Sequence, residues 1–204
     1  VQESQKAPEF DCYVPLMSLP YFFNTEIDTI PSDAPYLSAP LKRIESIKSH
    51  LTKSPFHIGV VWAGNPDHNN DRFRSCQLDK FVSISKIEGV QLYSLQKGEA
   101  LSQLSGCGFS VVDLSNQLYD FADTAAAIEC MDLIISVDTS VVHLAGALNK
   151  QVWVMLPANP DWRWQLLEDQ SPWYPSVKLF RQQKLGCWED VVEAITSQLS
   201  EMIA

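Results

Sequence analysis

DLIISVDTSVVHLAGALNKQVWVML, residues 132–156, contains two apolar runs, 132–137 and 151–156, around a segment of different rhythm. Each run is short and rich in β-branched residues, as expected of strands buried on both faces of a parallel sheet. Between them the apolar spacing predicts a helix over 139–148, with Asp138 or Thr139 as its N-cap. Ala145, Gly146 and Ala147 keep that helix thin enough to lie close to a sheet. Strand, helix, strand in this order reads as a βαβ unit, whose crossover is right-handed.

The same alternation extends in both directions. Apolar runs occur at 57–62, 90–95, 109–114 and, more weakly, 176–180; helix-like segments occupy about 77–87, 98–105, 120–130 and 188–203. The expected fold class is therefore α/β, a doubly wound parallel-sheet Rossmann-like domain over 55–204. Residues 1–54 differ. Pro8, Pro15, Pro20, Pro31, Pro35 and Pro40 forbid a long helix before Pro40. CYVPLMSLP (12–20) reads as a short strand, and Leu41, Ile44, Ile47 and Leu51 give 41–51 helical spacing. This stretch is expected to be a covering segment or interdomain linker.

The 204 residues are 46% hydrophobic and 20% charged, an ordinary globular composition. A net charge of -10 argues against a general nucleic-acid or acidic-membrane binder. It leaves open an anionic small ligand held by local backbone N–H groups. Cys12, Cys76, Cys107, Cys130 and Cys187 are odd in number, dispersed and without a C-x-x-C pair, so free thiols in a reducing, cytoplasmic setting are expected. No apolar run reaches the ~18 residues of a membrane span, and no signal peptide opens the chain. VQESQKAPEF lacks an initiator methionine, so the chain is expected to be a piece of something longer. His50, His57, His68 and His143 are scattered, which gives no metal-ligand spacing, and no P-loop, H-E-x-x-H or nucleophile triad occurs.

In open α/β sheets ligands bind beyond the carboxyl ends of the strands, which selects a few loops. AGNPDHNNDRFRS (63–75), after Trp62, is long for a βα connection, and Arg72 and Arg74 suit an anionic ligand or plain solvation. G-x-G-x-x-G is absent there, which argues against a dinucleotide enzyme. Lys97, in Gln96-Lys97-Gly98 after Leu95, offers a point charge for phosphate. In SNQLYDFADTAAAIECM (115–131), Asp120 or Asp123 is expected to cap a helix; a flat ligand ring against that backbone is compatible with these residues but not demanded by them. Asp138-Thr139-Ser140 sits at a strand's end and a helix's start, where the helix dipole favours an anion. The Asp138 carboxylate repels phosphate and is expected to cap the helix or bind a sugar hydroxyl. His143, on the face of Thr139, is either a ligand contact or a packing histidine. Trp162, Arg163 and Trp164, in NPDWRWQLLEDQSPWYP (159–175), suit a sugar platform or a structural lid equally.

PLMSLP (15–20), IPSDAPYL (30–37), GVVWAGNPDHNNDRFRS (59–75), SLQKG (94–98), DFADTAA (120–126), SVDTSVVHLAGAL (136–148), DWRW (161–164) and SPWYPSVKLFRQ (171–182) occur in that order. Together they resemble the C-terminal part of bacterial tetratricopeptide-repeat proteins that end in a glycosyltransferase-like region. That region is related to the heptosyltransferases of glycosyltransferase family 9 and, more distantly, to the O-linked N-acetylglucosamine transferases. The resemblance implies a GT-B architecture, two Rossmann-like domains facing across a cleft, with 55–204 as the C-terminal, nucleotide-sugar-binding half. It makes 1–54 the end of the N-terminal domain and the interdomain linker. It implies donor-binding roles for Asn65, Arg72, Arg74, Gln96, Lys97, Asp138, Thr139, Ser140 and His143, although heptosyltransferases have glycine where Ser140 stands. The general base is expected in the N-terminal half, so no catalytic residue is assigned and this chain is expected to be inactive alone. A nucleoside-diphosphate sugar is the implied donor, with no cofactor or metal required, and an acceptor glycan or protein is recruited by the upstream region. The rival readings are a non-catalytic glycan- or protein-binding module derived from a transferase and, more weakly, a two-domain epimerase.

Overall fold

The computed structural model describes residues 9–166 and 169–203, and the chain divides into two compact units, Val1–Pro31 and Ser32–Ala204. In the first unit, a 3-10 turn at Leu16–Ser18 leads into a four-residue helix, α1 (Leu19–Phe22). The short strand expected over 12–20 does not form. Pro15 and Pro20 remove the N–H donors a ladder needs, and Pro20 falls in the first turn of a helix, where proline is tolerated.

The second unit opens with α2 (Leu41–Lys48) and then builds six parallel strands: β1 (Phe56–Val61), β2 (Val90–Ser94), β3 (Val111–Asp113), β4 (Leu133–Val137), β5 (Val152–Leu156) and β6 (Val177–Arg181). Their order across the sheet is β3-β2-β1-β4-β5-β6, so the order in which strands are added reverses between β1 and β4. All five pairings are parallel; β4 aligns Ile134 with Gly59 of β1 and with Val152 of β5. The doubly wound Rossmann-like expectation is met.

Strand period two divides the core. Tyr93, Ile134, Val152 and Val154 face α4 (Phe121–Glu129) and α5 (Ser140–Ala147), whose Ala125, Ala126, Ala127 and Ala145 are buried, with Ile47 of α2 on the same side. Ile58, Val60, Leu92, Ile135, Trp153 and Met155 face Val191, Val192, Ile195 and Leu199 of α6 (Glu189–Ile203). No helix among the described residues is long and apolar enough to cross a membrane. All five cysteines are free, and burial pushes the Cys76 thiol up to about 12.

Two expected helices form as 3-10 segments. Residues 77–87 become Leu78–Val82 and Ile84–Lys86, and 98–105 becomes Glu99–Gly106. In the latter, Ser102 and Ser105 hydroxyls bond the carbonyls three residues back, at 2.8 and 2.7 Å, competing with α-helical pairing. The 3-10 form also advances further per residue, which suits short crossovers between neighbouring strands. A four-residue helix that the periodicity did not suggest, α3 (Asp71–Arg74), forms after β1.

Candidate functional site

At the carboxyl edge of the sheet lies a cleft of about 950 Å³. Its walls come from the loops after β1, β2, β3 and β4, so it straddles the point where strand order reverses. Among the residues selected from sequence, Asn65, Arg74, Gln96, Lys97, Thr139 and Ser140 all line it. Arg72, Asp138, His143, Trp162, Arg163 and Trp164 do not.

The contributions of the lining residues differ. Gln96 is buried; its Oε1 accepts the N–H groups of Trp62 and Ala63 at 3.1 and 3.0 Å, and its Nε2 donates to the carbonyls of Ala63 and Lys97 at 2.9 and 2.8 Å. Its hydrogen-bonding capacity is spent tying the tops of β1 and β2 together. Lys97 Nζ gives one hydrogen bond, to the Ser115 carbonyl at 2.9 Å, and an ammonium carries three donors. Asn65 Oδ1 accepts from Asp67 N at 3.1 Å in a local turn.

Arg74 braces the cleft. Its Nε pairs with Asp71 Oδ1 at 3.1 Å and its Nη1 donates to the Asp138 carbonyl at 3.1 Å, which joins the β1 loop to the β4 loop. Asp71 also accepts from Ser75 Oγ at 3.0 Å. Gly64 leaves room for this group, since a Cβ there would lie 2.5 Å from Arg74 Nη2. Arg72 instead is exposed, with its guanidinium 4.5 Å from the Phe73 ring centre.

Helix α5 starts at Ser140 after Thr139, and no side chain caps it. The Thr139 hydroxyl lies 3.1 Å from Ser136 Oγ instead, so neither Asp138 nor Thr139 serves as the side-chain cap expected from sequence. Thr139, Ser140 and Val141 line the cleft, so the positive end of the α5 dipole faces it unneutralised. Helix α4, by contrast, is capped by carboxylates: Asp120 accepts from Ala122 N and Asp123 N, both at 2.9 Å.

Asp138 faces a second, smaller cavity of about 280 Å³, shared with His68, Arg74, Asn159, Asp161 and Arg163. It is 7% exposed, and its carboxylate has no hydrogen-bond partner among the described residues. Arg163 lines this cavity while its backbone N–H bonds Asp161 Oδ1 at 3.1 Å. Trp162 is 69% exposed and meets Trp173 edge-on at 6.1 Å, whereas Trp164 is fully buried. A three-residue platform is therefore corrected to one open ring, Trp162, beside Arg163. Leu167 and Glu168 of this region lie outside the described residues.

His143 stacks on Trp164 at 5.3 Å and its Nδ1 lies 3.2 Å from Tyr174 Oη. It takes the packing role, lining neither cavity. Burial pushes its pKa below the ordinary imidazole value, against the raising influence of Asp138. The folded state therefore holds it neutral where the unfolded chain, near 6.5, takes up a proton. Its contribution to stability is present above about pH 6.5 and is lost as pH falls below that value. In urea melts, the stability difference between wild type and His143→Gln should shrink from pH 8 to pH 5; parallel pH profiles would contradict it.

Sequence reasoning missed Tyr119 and Phe121, which line the β3 end of the first cleft while 87% and 63% exposed. Their signal was available: they follow the third strand, in a loop the carboxyl-edge rule already selects.

A parallel doubly wound sheet with a large cleft at its strand-order reversal defines a Rossmann-like α/β domain. Residues 97–196 match Glycosyltransferase family 9 (heptosyltransferase), a span that includes Lys97, Asp138, Thr139, Ser140 and His143. The chain is 26% identical over 190 residues to Protein FlbA of Caulobacter vibrioides, covering 87% of this chain and 31% of that protein. Its fold resembles a glycosyl transferase family 9 protein from Veillonella parvula (TM-score 0.59, 12% identity, 85% of this chain and 53% of that one). It also resembles the ADP-heptose LPS heptosyltransferase II of E. coli (TM-score 0.59, 17% identity, 85% of this chain and 56% of that one). The chain thus spans about a third of the FlbA relative and just over half of each solved chain.

Proposed function

We propose that the chain is the donor-binding domain of a GT-B glycosyltransferase, which holds a nucleoside-diphosphate sugar for transfer to an acceptor hydroxyl. The observation that carries this reading is the uncapped start of α5 opening onto the same cleft as Lys97. Backbone N–H groups and a helix dipole form an anion site even in a protein of net charge -10, because they act over the first turn only. In an inverting displacement at the anomeric carbon, charge grows on the departing diphosphate, and this helix end with the Lys97 ammonium stabilises it without a metal. The Asp138 carboxylate, turned to the second cavity, accepts sugar hydroxyls and avoids the phosphates. The general base that takes the acceptor proton comes from a facing domain, so the chain alone binds donor without turning it over. A tetratricopeptide-repeat region that recruits the acceptor, and a cytoplasmic setting, belong to the same proposal.

Ser140→Asp tests it directly. A carboxylate in the first turn of α5 stabilises the helix by about 0.3–1 kcal/mol and places a negative charge where the diphosphate would lie. Calorimetric titration with UDP, GDP and ADP should show binding of at least one by the wild type and a loss of tenfold or more in the variant, with no drop in melting temperature. Wild type that binds none of the three at millimolar concentration sinks the reading.

The exposed Trp162 ring favours the second reading, a non-catalytic glycan-binding module. In that case the Thr139→Ala/Lys97→Ala double variant leaves cellular activity of the full-length protein unchanged.

A further inference from the structure

We propose that Tyr119 and Phe121 form a ring-stacking subsite at the β3 end of the cleft, where the nucleobase of a nucleoside diphosphate lies, and that Arg43 is the residue that positions it. The inference rests on the donor-binding reading above and assigns the polarity of the bound nucleotide.

The two rings are among the most exposed large apolar groups of the second unit, and both line a cleft rather than an open surface. Neither makes a ring contact with another aromatic residue among the described residues. The backbone that carries them is braced on every side. Asp120 accepts the N–H groups of Ala122 and Asp123, while Asp123 Oδ2 accepts those of Tyr119 at 3.1 Å and Asp120 at 3.3 Å. This reciprocal box brings two carboxylates side by side, which would repel each other. Arg43 of α2 answers the repulsion, since its Nη1 donates to Asp120 Oδ1 and, at 2.7 Å, to Asp123 Oδ1. The Asp123 backbone N–H, and next the Arg43 guanidinium, hold the Asp120 carboxyl below the usual carboxylate range. An exposed ion pair adds little to global stability. Its geometric effect is local: it fixes the loop on which both rings stand.

The cleft carries both ends of the ligand. Tyr119 and Phe121 line it together with Lys97, Thr139 and Ser140 at the open start of α5. Helix α4, which begins at Phe121, packs beside α5, so one nucleoside diphosphate reaches from the rings to that helix start. The base stacks on Tyr119 and Phe121, the ribose crosses the loop at 96–100, and the diphosphate reaches Lys97 and Ser140. Stacking uses the π-face that every base possesses, so this wall discriminates weakly among bases.

The test is calorimetric titration of the chain with UDP, GDP, ADP and inorganic pyrophosphate. Wild type should bind a nucleoside diphosphate more tightly than pyrophosphate. Tyr119→Ala/Phe121→Ala should weaken the nucleotides about tenfold or more, towards the pyrophosphate value, and leave pyrophosphate itself unchanged. Arg43→Met should give the same selective loss, several-fold, at an unchanged melting temperature, and Arg43→Lys should recover part of it. Nucleotides bound no more tightly than pyrophosphate by wild type, or equally by wild type and the aromatic double variant, overturn the subsite while leaving the donor reading intact. Equal loss of nucleotides and pyrophosphate in Arg43→Met, with a lowered melting temperature, overturns the positioning role. Wild type that binds none of the four probes overturns the donor reading and the subsite together.

Discussion

Replacing Arg74 with methionine is expected to lower the unfolding free energy by about 2–3 kcal/mol and to weaken nucleoside-diphosphate binding about tenfold. The Arg74 side chain is 17% exposed and its partner Asp71 14%, so both charges are largely withdrawn from water. Methionine fills the volume of the arginine stem but leaves Asp71 with only the Ser75 hydroxyl and the Asp138 carbonyl without its donor. An uncompensated, mostly buried carboxylate outweighs the gain from a better-solvated loop. Because Arg74 ties the β1 loop to the residue before α5, the diphosphate wall loosens as well. Urea unfolding measures the first effect and calorimetry the second. The cycle with Asp71→Asn should be strongly non-additive, since each single change strands the other's partner. An Arg74→Met protein within 0.5 kcal/mol of wild type would falsify the bracing role.

Gly146→Ala is expected to lower the melting temperature by about 4–8 °C, a cost of about 2 kcal/mol in a chain of this size. In an exposed helix the same change stabilises by up to ~1 kcal/mol, because alanine is the better helix former. Here the opposite sign wins. A Cβ at position 146 would lie 2.4 Å from Tyr174 Cγ and 2.7 and 2.9 Å from the two ring carbons beside it. The tyrosine cannot simply turn aside, since its Oη lies 3.2 Å from His143 Nδ1 and its ring meets the His143 ring at 5.8 Å. Differential scanning calorimetry reads the shift, and a second variant reads its cause. In a Tyr174→Ala background Gly146→Ala should become neutral or stabilising; an undiminished loss there would assign the effect to something other than the ring.

The architecture was legible because its signals are local. A short continuous apolar run is visible within six residues, and a helix start is visible in its small polar residues. Hence all six strands, α2, α4, α5 and α6 lie where the pattern puts them. The 3-10 segments at 78–86 and 99–106 were not legible, because helical spacing of apolar residues does not tell three residues per turn from 3.6 over so short a span.

The site divides along the same line. That the loops after β1, β2, β3 and β4 form the cleft is a consequence of parallel strands and was readable residue by residue, as Lys97, Thr139 and Ser140 on one cleft illustrate. Which side chain in each loop is free to face the cleft was decided by partners far away along the chain. Gln96 is consumed by backbone groups 33 and 34 residues away, and Arg74 is drawn to a carbonyl 64 residues away. The resemblance assigns Asp138 and His143 to one ligand, yet one lines the smaller cavity and the other packs on Trp164 and Tyr174. Tyr119 and Phe121 belong to a loop that strand order selects, and only the fold sets their rings on the same cleft as the start of α5. Periodicity along a chain encodes which face is buried; it carries no record of which distant loop will arrive beside it, and hydrogen-bond partners are chosen only once that packing exists.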